Sequence, residues 1–131
     1  MRELLPLAQV LTLTCRELAV FAGGPVETAA GAAEAALRAR ALGPRAVVVE
    51  DAPSPEGIGV LVCDDLGARV AAESAEKPPL AGAGSIFSAA LAAGLARGEG
   101  VAEAARFAAE FVAQARQEAM PLGKGLPVAV P

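Results

Sequence analysis

The chain has 131 residues, a length suited to one domain, and 54% hydrophobic against 20% charged residues, which permits a packed core and excludes global disorder. A net charge of −4 argues against nucleic acid as a partner. The absence of His, Tyr and Trp removes histidine bases, histidine–metal sites and most base-stacking platforms. The two cysteines, Cys15 and Cys63, lack CxxC spacing, so a zinc site from this chain is not expected. They read as reduced thiols of a cytoplasmic protein. No apolar run reaches the roughly 18 to 20 residues of a spanning helix, and residues 1–10 lack the pattern of a signal peptide. No membrane partner is expected. Thirty-three alanines carry much of the hydrophobicity; they favour helix but bury little area each.

Leu7 to Leu13 reads as a buried strand. Thr14, with Glu17 three residues on, has capping-box spacing and opens a short helix through Phe21 that stops at Gly23-Gly24. Pro25 and Glu27 open a second helix to about Leu42, with Leu37 on an alanine-rich face and Arg38 and Arg40 near its C-terminal end. Gly43-Pro44 ends it. Arg45 to Glu50 holds three valines in a row and reads as a central parallel strand. A loop with Pro53, Pro55 and Gly57 follows.

Ile58 to Cys63 and Ala68 to Ala72 read as a β-hairpin joined through Asp64-Asp65-Leu66-Gly67. Residues 73–81 are a polar loop. Gly82-Ala83-Gly84 leads into a helix from Ser85 to about Ala96, ended by Gly98. A longer helix from Val101 to about Ala119 places Phe107, Phe111 and Val112 on one face. The tail, with five Gly and Pro residues from Pro121 to Pro131, reads as an ordered loop or a late edge strand. The order β-α-α-β-β-β-α-α predicts an α/β layered fold with a mixed sheet and flanking helices, in a single domain over residues 1–131.

Chemistry concentrates at Gly82-Ala83-Gly84-Ser85. Small residues allow close backbone approach, and the first free N–H groups of a helix favour an anion. A phosphate or the charge developing in phosphoryl transfer would suit such a place. A tight turn with no ligand has the same pattern. Lys77 and Lys124 read as solvated loop charges. Asp64-Asp65 reads as turn chemistry rather than a metal site. Cys15 lies near a helix N-terminus, which can lower a thiol pKa, although a small buried cysteine is the simpler reading.

Residues 81–98, AGAGSIFSAALAAGLARG, resemble the anion-hole motif and following helix of ribokinase-like kinases. The nearer likeness is to the hydroxymethylpyrimidine and hydroxymethylpyrimidine-phosphate kinases of thiamine synthesis, with pyridoxal kinases as relatives. Three further stretches agree in order. Residues 4–12 resemble the strand entering a Thr-Pro-Asn-x-x-Glu motif, whose glutamate falls on Glu17. Residues 42–49 resemble the next helix end and strand. Residues 121–125 resemble the glycine-rich C-terminal segment. The likeness covers nearly all of this chain and the C-terminal, nucleotide-side half of a family member.

The resemblance implies a partial ribokinase-like fold, ATP and magnesium as cofactors, and Gly82, Ala83, Gly84 and Ser85 as the phosphate or nucleotide site. It implies Glu17 as a residue acting through magnesium. The family's catalytic Asp or Cys position is Ser85, a very poor base without activation. Thr14 replaces the motif's Asn, and Arg16 beside Glu17 offers a purely structural alternative for that glutamate. Glu50-Asp51-Ala52-Pro53 stands where a basic, glycine-rich phosphate neighbour would be. A catalytically impaired kinase relative is therefore expected. The alternatives are an active kinase of hydroxymethylpyrimidine or a similar small alcohol, completed by a second chain, and a non-catalytic interaction protein. A homodimer, or a partner supplying the missing half, would cover the exposed sheet edge.

Overall fold

The computed structural model describes residues 3–74 and 79–130. The chain divides into two compact units, Met1–Ala75 and Glu76–Pro131. The first holds strands β1 (Val10–Leu13), β2 (Ala46–Ser54), β3 (Gly57–Asp64) and β4 (Gly67–Ser74), with helices α1 (Cys15–Ala22) and α2 (Ala29–Arg40) between β1 and β2. The strands form one mixed sheet in the order β1-β2-β3-β4, parallel between β1 and β2 and antiparallel thereafter. The second unit holds α3 (Ala83–Ala96) and α4 (Val101–Gln117). The element order and mixed sheet are those expected.

The three valines of β2 show why it is central. Val47 and Val49 face the helices, paired with Cys63 and Leu61 of β3, in a cluster with Leu13, Leu18, Ala36 and Ala39. Val48 points to the other face opposite Val62, and both are fully buried. Each such side chain contributes about 1.5–3 kcal/mol of burial. β-branched residues suit a strand covered on both faces. Val49 and Ala52 lie on the same face although three residues apart, because the β2–β3 register shifts between them. That bulge takes up one extra residue at Glu50-Asp51 and re-aims the Asp51 side chain.

α2 presents Ala32, Ala35, Ala36 and Ala39 to the sheet, an i, i+3, i+4, i+7 stripe that is at most 1% exposed. Leu37 lies off this face and is half exposed, so the buried contact is alanine alone. Small side chains let the helix approach closely, which offsets the little area each one buries. Gly43, after α2, has φ of 124°, and a Cβ there would lie 2.7 Å from Pro6 Cα. Only glycine serves both needs.

Several boundaries differ from the expected ones. Residues Leu5–Leu7 form a 3₁₀ turn around Pro6, so β1 begins only at Val10. α2 starts after Thr28, whose Oγ1 accepts the Gly31 N–H at 3.0 Å and outcompetes Pro25 and Glu27 as the start. β2 runs on to Ser54 and absorbs Pro53; the turn to β3 is only Pro55-Glu56. β4 extends to Ser74, into the expected loop at 73–81, of which residues 75–78 lie outside the described residues.

In the second unit, α4 buries Ala104, Ala105, Ala108 and Val112. Phe111 is 48% exposed rather than on the core face, stacked at a tilt 6.1 Å from Phe107. Gly94 of α3 packs closely on α4: a Cβ there would meet Ala104 Cβ at 2.9 Å. Arg97 binds Glu99 through two nitrogens at 3.0 and 2.7 Å and lies over the Phe107 ring. The tail makes single bridges from Val128 to Ala81 and Met120 rather than a strand.

Candidate anion site

The start of α3 is set by Gly82, which takes the left-handed conformation at φ 73° and serves as the N-cap. Before it, Leu80 is buried and Ala81 N–H donates to Pro127 O at 2.9 Å, fixing the entry to the helix. The first helical bond runs from Ile86 N–H to Gly82 O at 3.0 Å, and Ala83 N–H reaches back to Leu80 O at 3.4 Å. The N–H groups of Gly84 and Ser85 have no protein acceptor among the described residues. Ser85 is exposed. Two N–H groups with no protein acceptor among the described residues, at the positive end of a 14-residue helix, are an arrangement that favours an anion, and they make this end the candidate cradle. No side-chain carboxylate caps this end, which leaves it open to an external one. The helix starts at Ala83, two residues ahead of the expected Ser85, so Gly84 and Ser85 lie in its first turn.

A mainly apolar groove of about 420 Å³ lies in the same unit, lined by Ile86 next to the cradle, by Phe111, Ala115 and Glu118 of α4 and its end, and by Val130. Sequence periodicity placed Phe111 on one face with Phe107 and Val112 without identifying this wall. The available signal was that Phe111 shares its helical stripe with the polar Gln114 and Glu118.

The start of α1 is arranged differently. Thr14 Oγ1 accepts the Glu17 N–H at 3.2 Å, and Glu17 Oε2 accepts the Thr14 N–H at 2.8 Å and its hydroxyl at 3.0 Å. The expected capping box is present. The partner that holds Glu17 is therefore Thr14 and not Arg16, whose side chain is exposed. The bulge in β2 delivers Asp51 Oδ1 to the Cys15 N–H. A carboxylate of the chain itself thus occupies this helix end, a contact between residues 36 apart that no local spacing could reveal. This accounts for an acid at position 51, where the resemblance implies a basic, glycine-rich segment.

Among the described residues no three His, Cys, Asp or Glu side chains gather as metal ligands. Glu17 would meet a magnesium ion only while sharing its carboxylate with Thr14. Magnesium commonly keeps several waters and binds one or two carboxylates plus phosphate oxygens, so the residues fit an ion carried in by a nucleotide rather than one resident in the protein.

The remaining candidates are structural. Asp64 Oδ1 accepts the Leu66 N–H at 2.9 Å and its two oxygens pair with Arg69 at 2.6 and 2.8 Å. The Arg69 guanidinium, foremost, holds its carboxyl below the usual range. Asp65 pairs with Arg40. Both cysteines are free thiols. Burial, and then the Asp51 charge, push the Cys15 thiol up, against the lowering that its place at a helix start suggested. Lys124 is exposed; Lys77 lies outside the described residues. No helix among the described residues is long and apolar enough to cross a membrane.

Comparison with known proteins agrees with this fold. The phosphomethylpyrimidine kinase family model matches residues 1–129. Pyridoxine kinase of Bacillus subtilis (strain 168) is 33% identical over 126 residues, which is 93% of this chain and 46% of the relative. The structure of an ADP complex of Bacillus subtilis pyridoxal kinase superposes with a TM-score of 0.84 at 32% identity, over 98% of this chain and 51% of that one. Staphylococcus aureus pyridoxal kinase in complex with pyridoxal gives 0.80 at 25%, over 96% and 46%. Thermotoga maritima ribokinase, at 23% identity and a TM-score of 0.69 over 88% of this chain and 38% of that one, shares the fold. The chain spans about half the length of these pyridoxine and pyridoxal kinases.

Proposed function

Because the chain belongs to the phosphomethylpyrimidine kinase family, we propose that it is the nucleotide-side portion of a kinase that is catalytically impaired. Residues 1–131 correspond, in this reading, to the C-terminal domain-half of the family fold. The N–H groups of Gly84 and Ser85, following Gly82 and Ala83, bind the phosphates of ATP or ADP; that pair of N–H groups without protein acceptors carries the reading. Glu17, in the first unit, is the residue that would hold magnesium. When bound, ATP supplies the phosphoryl group and magnesium spreads its charge. Ser85 stands where the proton of an attacking alcohol would be taken, and its hydroxyl is too weak a base at neutral pH. The substrate class is a hydroxymethyl group on a pyrimidine or pyridine ring, which would place the protein near thiamine or pyridoxal metabolism. A cytoplasmic setting keeps both thiols reduced.

A second reading is favoured by the half-length match: an active kinase completed by the remaining part of the fold, or by a symmetric copy of this chain in a homodimer. A non-catalytic interaction protein would bind no nucleotide. Calorimetry on the purified chain separates these. Titration with ADP and with ATP-magnesium should give one site, lost on Gly84→Val. Phosphoryl transfer to hydroxymethylpyrimidine phosphate should be undetectable. Equal affinity in the Gly84→Val variant would remove the site, and robust turnover by the chain alone would remove the impairment.

A further inference from the structure

β1 stops at Leu13, while its neighbour β2 continues to Ser54. The last pair of their parallel ladder is Leu13↔Val49, so a ladder two residues longer would set Cys15 opposite Asp51. Cys15 is instead the first residue of α1, and its N–H is one of those that a helix start leaves without an intrahelical acceptor. Beside it, the β2 backbone is interrupted by the bulge between Val49 and Ala52. Asp51 Oδ1 accepts the Cys15 N–H where a backbone carbonyl would serve in a continued ladder. A side chain thus carries the β1–β2 connection past the end of the strand.

The tie matters because α1 has little else to hold its first turn. Its eight residues are fewer than the roughly 12 to 15 that an isolated helix needs. Leu18 is its one buried side chain, with Cys15, Phe21 and Ala22 partly buried beside the core, and Val20 is 80% exposed. The capping box is internal: Thr14 and Glu17 satisfy each other, which shapes the turn without fixing it to the sheet. Asp51 supplies that fixing from β2, one residue after the N-cap and two before Glu17.

We propose that Asp51 is a positioning residue: its side-chain oxygen holds the first turn of α1 against β2 and so keeps the Glu17 carboxylate where a magnesium ion would meet it. The magnesium clause rests on the functional reading above; the hold on α1 does not. The acceptor oxygen does this, not the charge, because the bond comes from a backbone N–H, which an amide oxygen also accepts. The basic, glycine-rich segment that the resemblance implies at this place offers no carboxylate, so the tie is a feature of this chain's own sequence.

Amide exchange on the full chain tests it. Asp51→Ala should speed exchange at Glu17 and Leu18 about fivefold or more while the amides of β2 and β3 keep their protection. Asp51→Asn should stay within about twofold of the wild type, because its Oδ1 accepts the same bond. Cys15→Pro removes the donor at the helix position that proline favours, and Asp51→Ala should add nothing in that background. Manganese, used with ADP as the probe ion, should broaden the Glu17 amide resonance in the wild type and in Asp51→Asn, and less in Asp51→Ala. Unchanged exchange or unchanged broadening in Asp51→Ala, or an Asp51→Asn variant as loosened as the alanine one, would overturn the proposal. Should Asp51→Ala fail to fold, Cys15→Pro decides: exchange at Glu17 and Leu18 as slow as in the wild type would overturn it equally. Absence of manganese broadening at Glu17 in the wild type, with the exchange results as expected, would count against the magnesium reading and not against the hold on α1.

Discussion

Gly94 offers a test in which two known effects oppose each other. An alanine in a helix interior is favoured over glycine by about 1 kcal/mol. At Gly94 the added Cβ would lie 2.9 Å from Ala104 Cβ, 3.1 Å from Ala104 Cα and 2.8 Å from Glu99 Oε2. The glutamate can swing away, although its other oxygen is held by Arg97. Ala104 cannot, because its Cα and Cβ belong to the α4 backbone, and it is fully buried. Overpacking of this kind costs about 1–3 kcal/mol, and contact with backbone-anchored atoms places it toward the top of that range. Gly94→Ala should therefore destabilise by a net of about 1–2 kcal/mol, read as a fall in Tm of about 4–8 °C for a chain of this size. Circular dichroism melting measures it. Ala104→Gly in the same chain should recover part of the loss, giving a favourable coupling of about 1 kcal/mol in the double-mutant cycle. A Gly94→Ala melt at or above the wild-type Tm would refute the close approach of α3 and α4.

Other outcomes follow from the same structure. Thr14→Ala removes an acceptor and a donor of the capping box and should cost about 1 kcal/mol, with Thr14→Ser nearly neutral in denaturant melts. The folded-state pKa of Asp64 lies below its unfolded value of about 3.9, so its contribution is complete above that pH and is lost as pH falls through the folded value. Acid titrations of stability should show a smaller loss in that window for Asp64→Asn. Ser85→Asp, in complex with the missing part of the fold, should raise phosphoryl transfer by about 10² to 10⁴ fold, the contribution of a positioned base. No gain in a complex that still binds ATP would locate the defect elsewhere.

Local rules carried far along this chain. The capping box at Thr14–Glu17, the Asp64 turn and the valine strand all rest on spacings of a few residues, and each is where its spacing put it. The glycine stop at Gly23 follows the same logic, with φ of 76°. What was illegible depended on distant partners. The start of α2 moved to Thr28 because a side-chain cap outweighs a nearby proline. The role of Asp51 needed the β2 bulge, which arises from pairing with β3 and has no signature within β2 itself. The exposure of Phe111 was not legible, because apolar spacing marks a face without saying whether anything covers it. Gly82 to Ser85 was legible as a helix entrance, but the sequence could not show that the Gly84 and Ser85 N–H groups have no acceptor among the described residues.

The central claim is that these two N–H groups hold nucleotide phosphate. Titrating ADP into isotopically labelled chain and following backbone amide resonances tests it at the atoms concerned. The Gly84 and Ser85 signals should move furthest and saturate together, and inorganic phosphate should move the same pair with weaker affinity. Saturable binding that leaves both signals in place while shifting those at the start of α1, or no shift anywhere at millimolar ADP, would contradict it.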